Sequence, residues 1–222
     1  QEVLDFFPAG NPNDVRMRDI TIEHALTKTT GIAWPLPGTD ISVENMQAVL
    51  SLDMKNAPGE VFEYKPDPQL LVYLPEKVTG QPLNAYIQEK LFDPLDIRAY
   101  QWDTRMANIQ EMKMPLYEVA KLGRLYLAQG NWEGQQVVMP TFVTDSIAPH
   151  VEKGFPEQAG YGYLWWADEI ENIAVFFISG LGGQYPIAVP SRNLVVTIAS
   201  CMDRSHSENK CNVCNLLRNE IQ

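Results

Sequence analysis

The strongest constraint on this chain is a change of pattern near residue 160. Before it, apolar residues recur at helical spacing. After it, four short runs rich in aromatic and β-branched residues follow one another. They are Tyr161–Trp166, Ala174–Ser179, Tyr185–Val189 and Leu194–Ala199, and Pro190-Ser191-Arg192-Asn193 forms a turn between the last two. The near-continuous apolar run of Leu194–Ala199 predicts burial on both faces. Asn209–Ile221 reads as a final helix capped by Ser205 or Ser207. The expected arrangement is an antiparallel meander with a helix returning across one face, an α+β fold.

Upstream, 1–150 reads as a mainly helical region and 160–222 as sheet strands plus a C-terminal helix. Asp19–His24 opens a helix with Thr21 as its cap, closed by Gly31. Ser42–Asn45 starts a second helix through Met46, Val49 and Leu50. Gln69–Thr79 is helical despite Pro75 and stops at Gly80. Leu83–Leu91, Leu116–Gln129 and Thr141–Ile147 complete the set, and Gly130 ends the second of these. No internal repeat or Gly/Ser-rich linker interrupts the chain.

Composition excludes several classes. The 222 residues carry 17 Lys plus Arg against 28 Asp plus Glu, a net charge of −11. Phosphate binding needs clustered cations, so a nucleic-acid or anionic-membrane binder is not expected. No apolar run approaches the roughly 20 residues of a membrane span. Gln1-Glu2-Val3-Leu4-Asp5 is acidic and does not read as a signal peptide. Cys201, Cys211 and Cys214 all lie within the last 22 residues. With His206 they fit no standard zinc spacing, so neither a metal nor a cofactor is expected. A Cys201–Cys211 or Cys201–Cys214 disulfide is compatible with an oxidising compartment. His24 is expected to cap or pack, and His150 and His206 show no partner in the sequence.

A series of segments, in order, carries a resemblance. Ile20-Thr21-Ile22-Glu23-His24-Ala25-Leu26-Thr27-Lys28-Thr29-Thr30-Gly31 is similar to I-T-I-x-H-L-L-T-H-T-S-G. Pro58-Gly59-Glu60-Val61-Phe62-Glu63-Tyr64 is similar to P-G-x-x-F-x-Y. Glu76–Gly80, Leu91–Leu95, Tyr161–Trp166 and Gly180-Leu181-Gly182-Gly183-Gln184 follow in order. Together they resemble the serine hydrolases of the class C β-lactamase and penicillin-binding protein superfamily, which includes esterases and peptidases.

The resemblance implies a β-lactamase/transpeptidase-like fold, an antiparallel sheet with flanking helices and a helical subdomain. It also implies acyl-transfer chemistry on a β-lactam, a D-amino-acid peptide or an ester. Such enzymes use an S-x-x-K serine, a tyrosine that assists proton transfer, and an oxyanion hole of backbone N–H groups. Tyr64 falls on the tyrosine, and Pro66 falls near its Asn or Ser partner. Gly180, Leu181 and Gly182 fall on the edge-strand triplet, so a Gly replaces the usual Lys or His. Gly183 N–H is the candidate oxyanion donor, with Gln184 and Trp166 as further substrate-lining candidates. Adjacent Trp165 and Trp166 are expected on opposite faces, one in the core and one toward the cleft.

The nucleophile is the decisive departure. In the family S-x-x-K precedes the I-T-I-x-H segment, but only 19 residues precede Ile20 here and none is a serine. Residues 1–222 therefore read as a partial domain, without the first strands and the nucleophile helix, and as inactive by themselves. The one S-x-x-K present, Ser207-Glu208-Asn209-Lys210, reads as a helix cap. Two alternatives stand beside this reading: a catalytically dead relative that binds a peptide or cell-wall ligand, and an interaction module pairing through an exposed sheet edge. That edge also leads to the expectation of a homodimer or a complementing segment. By resemblance the compartment is periplasmic or secreted.

Overall fold

The computed structural model describes residues 1–8, 10–35, 46–103, 111–180 and 183–200. The chain divides into two compact units, residues 1–91 with 100–113, and 92–99 with 114–222. This division differs from the boundary near 150–160 seen in the sequence pattern, because two of the helices belong with the sheet.

The first unit is built of short helices and turns. Single 3₁₀ turns span Val3–Phe6 and Val15–Asp19, and helix α1 spans Ile22–Leu26. The expected cap is present: Thr21 Oγ1 accepts from His24 N–H at 3.1 Å, and His24 Nδ1 accepts from Thr21 N–H at 3.2 Å. This reciprocal pair satisfies two otherwise unpaired amides. Burial lowers the His24 pKa, which favours the neutral ring that an accepting Nδ1 requires.

The helix stops well before Gly31. Thr27 Oγ1 donates to Glu23 O at 2.8 Å, and Lys28 turns into the left-handed region at φ 57°. Gly31, at φ 76°, then forms a crossing point. Its carbonyl accepts from the amides of Lys55 and Asn56, and a Cβ there would lie 2.4 Å from Asn56 O.

Helix α2 spans Met46–Leu50, and its expected start at 42–45 lies outside the described residues. A 3₁₀ segment over Asp67–Tyr73 leads into α3, Leu74–Thr79, which ends at left-handed Gly80. Pro75 sits in the first turn of α3, where its missing N–H costs nothing. Helix α4 spans Leu83–Ile87, and strands β1 (Gln101–Asp103) and β2 (Glu111–Lys113) form a small hairpin. Three-residue strands are too short to show an alternating pattern, so this hairpin has no sequence signature. The core of the unit gathers Val3, Met17, Ile20, Ile32, Trp34, Val49, Leu50, Met54 and Leu70.

The second unit holds the predicted meander. Helix α5 spans Leu116–Leu127, a small hairpin joins β3 (Asn131–Trp132) to β4 (Gln135–Gln136), and α6 spans Pro140–Ile147. Six antiparallel strands follow: β5 (Val151–Gly154), β6 (Ala159–Tyr161), β7 (Trp166–Ile170), β8 (Ile173–Phe177), β9 (Gln184–Val189) and β10 (Leu194–Ala199). Each pairs with its sequence neighbour. The β7–β8 reversal uses Glu171 and Asn172, both at positive φ, a twist that suits a two-residue hairpin.

Two expectations are corrected. Tyr161–Trp166 is a strand end, a turn and a strand start. Gly162 N–H donates to Trp165 O at 2.8 Å and Leu164 lies at φ 65°, which reverses the chain. Strand β10 is half-buried, with Leu194 37% exposed. It terminates the sheet order among the described residues, and α5 packs on it closely enough that a Cβ on Gly123 would lie 2.8 Å from Val195 Cγ1. The final helix predicted at 209–221 lies outside the described residues.

The sheet carries aromatic residues on both faces. Trp165, Phe176 and Ala188 form one cluster with Tyr126, Leu127 and Val195. The register places Trp166, Phe177 and Ile187 on the opposite face, with Tyr161 edge-on to Trp166 at 4.6 Å.

A Cβ on Gly162 would lie 2.1 Å from Ser146 O, whereas one on Gly134 meets nothing within 4 Å, although Gly134 has φ 91°. Gly134→Ala is therefore expected to cost about 1 kcal/mol of backbone strain. Gly162→Ala is expected to cost more than about 2 kcal/mol, because the backbone itself must move. Urea unfolding midpoints compare the two; equal losses would contradict the steric reading.

Candidate active site

The tyrosine corner of the first unit is built from two backbone stretches laid side by side. Gly59 N–H donates to Thr29 O at 2.7 Å, and Glu63 N–H donates to Lys28 O at 3.0 Å. These bonds hold 58–63 against 28–30 and place Tyr64 beside Lys28. The Tyr64 side chain is 38% exposed, and the Lys28 ammonium lies 4.3 Å from its ring centroid. The same ammonium donates to Lys65 O at 2.6 Å.

Pro66 stands where the resemblance expects a polar partner, and it performs a different task. At φ −75° it starts the 3₁₀ segment that turns Asp67 inward. Asp67 is 2% exposed. Its carboxylate accepts from Thr30 N–H at 3.2 Å and from the Trp34 indole N–H. Burial pushes its pKa up, opposed by those hydrogen bonds and by the charge of Lys28. Lys28 is pushed down to about 8 by burial, and the attraction of Asp67 recovers only part of the shift.

Neither Lys28 nor Asp67 was a candidate from the sequence. One signal was readable: Lys28 occupies the His position of the T-H-T-S-G segment. The inward turn of Asp67 depends on Pro66 and could not be read from spacing.

In the second unit, the glycine-rich segment is a reversal between β8 and β9. Gly180 N–H donates to Gln184 O at 2.9 Å, and Gly183 N–H donates to Gly180 O at 3.1 Å. Gly183 lies at φ 90°, a conformation that disfavours other residues. The N–H assigned to an oxyanion is thus engaged within the turn. Ser200 N–H donates to Gly183 O at 3.0 Å, tying β10 to the reversal. A Cβ on Gly180 would lie 3.0 Å from the Gln184 side chain, so a Lys or His there would crowd it. Directly before the turn, buried Ser179 donates to buried Glu157 at 2.6 Å.

Trp166 is 1% exposed and belongs to the sheet core, so no face of it is open to a substrate here. Trp165 does lie on the opposite face, but it too is buried, since both faces of the sheet are covered. His150 has partners after all: its ring stacks on Tyr163 at 4.5 Å, and Nε2 lies 2.9 Å from Asp145 O. Leu181, Gly182, the three cysteines, His206 and Ser207–Lys210 lie outside the described residues. Among the described residues, no His, Cys, Asp and Glu side chains gather in a group that could hold a metal ion, and no helix is long and apolar enough to cross a membrane.

The sequence pattern of the beta-lactamase family matches residues 3–211. The chain belongs to the beta-lactamase family. No curated protein matches it by sequence. Among solved structures, a class C beta-lactamase superposes with a TM-score of 0.74 at 13% identity, covering 100% of this chain and 74% of that one. A D-stereospecific amidohydrolase from Streptomyces sp. gives 0.70 at 17% identity, covering 96% and 77%. The octameric penicillin-binding protein homologue from Pyrococcus abyssi gives 0.72 at 16% identity, covering 98% of this chain but 62% of its own. At these identities the likeness is one of fold.

The Lys28 shift has a testable sign. Moving an amine from 10.5 to about 8 corresponds to about 3 kcal/mol of destabilisation when the ammonium is charged in the fold. The cost is fully present below pH 8. Between about 8 and 10.5 the unfolded chain still holds a proton that the folded chain has released, so stability rises with pH through that window. The stability of the wild type relative to Lys28→Met is expected to improve by about 2 kcal/mol from pH 7 to pH 10, read by urea unfolding. A flat difference would show that Lys28 is not depressed.

Proposed function

We propose that these residues form the tyrosine-bearing and substrate-edge portions of a serine hydrolase that transfers the acyl group of a β-lactam, a D-amino-acid peptide or an ester. The observation that carries this reading is the family match over 3–211 together with the placement of Tyr64, half-exposed and held beside a buried cation. A phenol in that setting suits proton transfer to and from a serine hydroxyl. By the resemblance, Gly180, Leu181, Gly182 and Gln184 correspond to the substrate edge and Gly183 N–H to the oxyanion donor. No S-x-x-K lies ahead of Ile20 in residues 1–222. A polypeptide limited to these residues is therefore inactive in this reading, and activity needs a segment that supplies the serine.

A second reading is favoured by two observations, Pro66 in place of a polar partner and the engagement of Gly183 N–H at 3.1 Å. In it the protein binds a peptide or cell-wall ligand without turning it over. In either case we place it in the periplasm or outside the cell. We also propose that β10, half-buried at the end of the described sheet, pairs with a second copy or a complementing segment.

Residues 1–222 are expected to hydrolyse neither nitrocefin nor p-nitrophenyl esters and to form no fluorophosphonate adduct by mass spectrometry. A polypeptide extended by a family S-x-x-K segment is expected to turn over at least one of them, with Tyr64→Phe lowering kcat by about 10²-fold or more. An adduct on any side chain of 1–222 would overturn the assignment. Saturable ligand binding by the extended protein without turnover would favour the second reading.

A further inference from the structure

Lys28 is an expensive way to fill its space. It is 8% exposed, and a Met or Leu would occupy the volume without desolvating a charge. What the ammonium adds is two directed contacts, both to the loop that carries Tyr64: 2.6 Å to Lys65 O, and 4.3 Å to the Tyr64 ring centroid. The ends of the loop are held by other bonds, Glu63 N–H to Lys28 O at 3.0 Å and Thr30 N–H to Asp67 at 3.2 Å, and the ammonium acts between them. Lys65 N–H makes only a local bond to Glu63 O, and Pro66 has no N–H to give.

The neighbouring charges leave the ammonium to this task. Glu63 pairs with Lys55 at 2.6 Å, and His24 is committed to the α1 cap. Glu23 lies in the first turn of α1. Asp67 attracts Lys28 from the following segment while accepting from Thr30 and Trp34.

We propose that Lys28 is a positioning residue for Tyr64: its buried ammonium clamps the 63–67 loop through the Lys65 carbonyl and the phenol ring, fixing the phenol in one orientation. The functional weight of this clamp rests on the acyl-transfer reading above, but the clamp itself is a property of the ground state. It holds while Lys28 is charged and loosens as the amine loses its proton, near pH 8.

The test uses protein labelled with ¹³Cζ-tyrosine, with Tyr64→Phe assigning the resonance. The Tyr64 signal is expected to show a step with a midpoint near pH 8, to lose that step in Lys28→Met, and to lack it in Lys28→Arg, where the cation persists. A Tyr64 profile in Lys28→Arg that matches the wild type would overturn the clamp. If Lys28→Met does not fold, Tyr64→Leu provides the reciprocal measurement. Removing the ring is expected to lower the Lys28 midpoint, read by ¹³Cε-lysine, and an unmoved midpoint would overturn the proposal. Neither experiment reads turnover, so a hydrolytically silent protein leaves the clamp testable, and a failed clamp leaves the acyl-transfer reading standing.

Discussion

The carboxylate of Asp67, turned inward by Pro66, is the interaction on which the tyrosine corner depends. It accepts from a backbone amide at Thr30 and from the indole of Trp34, and so joins the loop after α1 to the segment that leads into α3. Burial pushes the Asp67 pKa up, and the hydrogen bonds from Thr30 and Trp34 and the charge of Lys28 oppose that rise by favouring the carboxylate. Asp67 also attracts the Lys28 ammonium and offsets part of the cost of burying it.

The sheet unit is organised by a different constraint. Aromatic residues point to both of its faces, and the strict alternation of β7 and β8 assigns Phe176 and Phe177 to different clusters. Burial on both faces leaves little room for a substrate-lining side chain from the strands themselves. The β8–β9 reversal is instead tied by backbone bonds, Gly180 N–H to Gln184 O and Gly183 N–H to Gly180 O. In the proposed role of Gly183 as oxyanion donor, an oxyanion would compete with a hydrogen bond already formed.

Much of the architecture was legible because it follows from local rules. Thr21 and His24 read as a helix start because a hydroxyl and a ring nitrogen three residues apart can satisfy each other's amides. Gly80 read as a helix stop because a left-handed residue costs glycine least. The meander was legible because apolar, β-branched and aromatic runs were separated by turn residues. The errors share one form. Tyr161–Trp166 looked continuous because nothing in an aromatic run signals that Leu164 adopts a positive φ. Leu194–Ala199 looked doubly buried because apolarity records what a residue tolerates and does not record where its strand lies in the sheet.

The site divides along the same line. Order and spacing of the segments identified the family, and the same resemblance put forward Tyr64 and the glycine-rich segment as candidates, since those depend on residue type along the chain. Local pattern alone also determined the caps, the breaks and the succession of strands. The fold decided which groups meet: that Lys28 lies under Tyr64, that Asp67 faces Thr30 and Trp34, and that Trp166 is enclosed. Such pairings join residues some 30 to 40 positions apart, and their energies come from burial and hydrogen bonding, which arise only once the chain has closed upon itself.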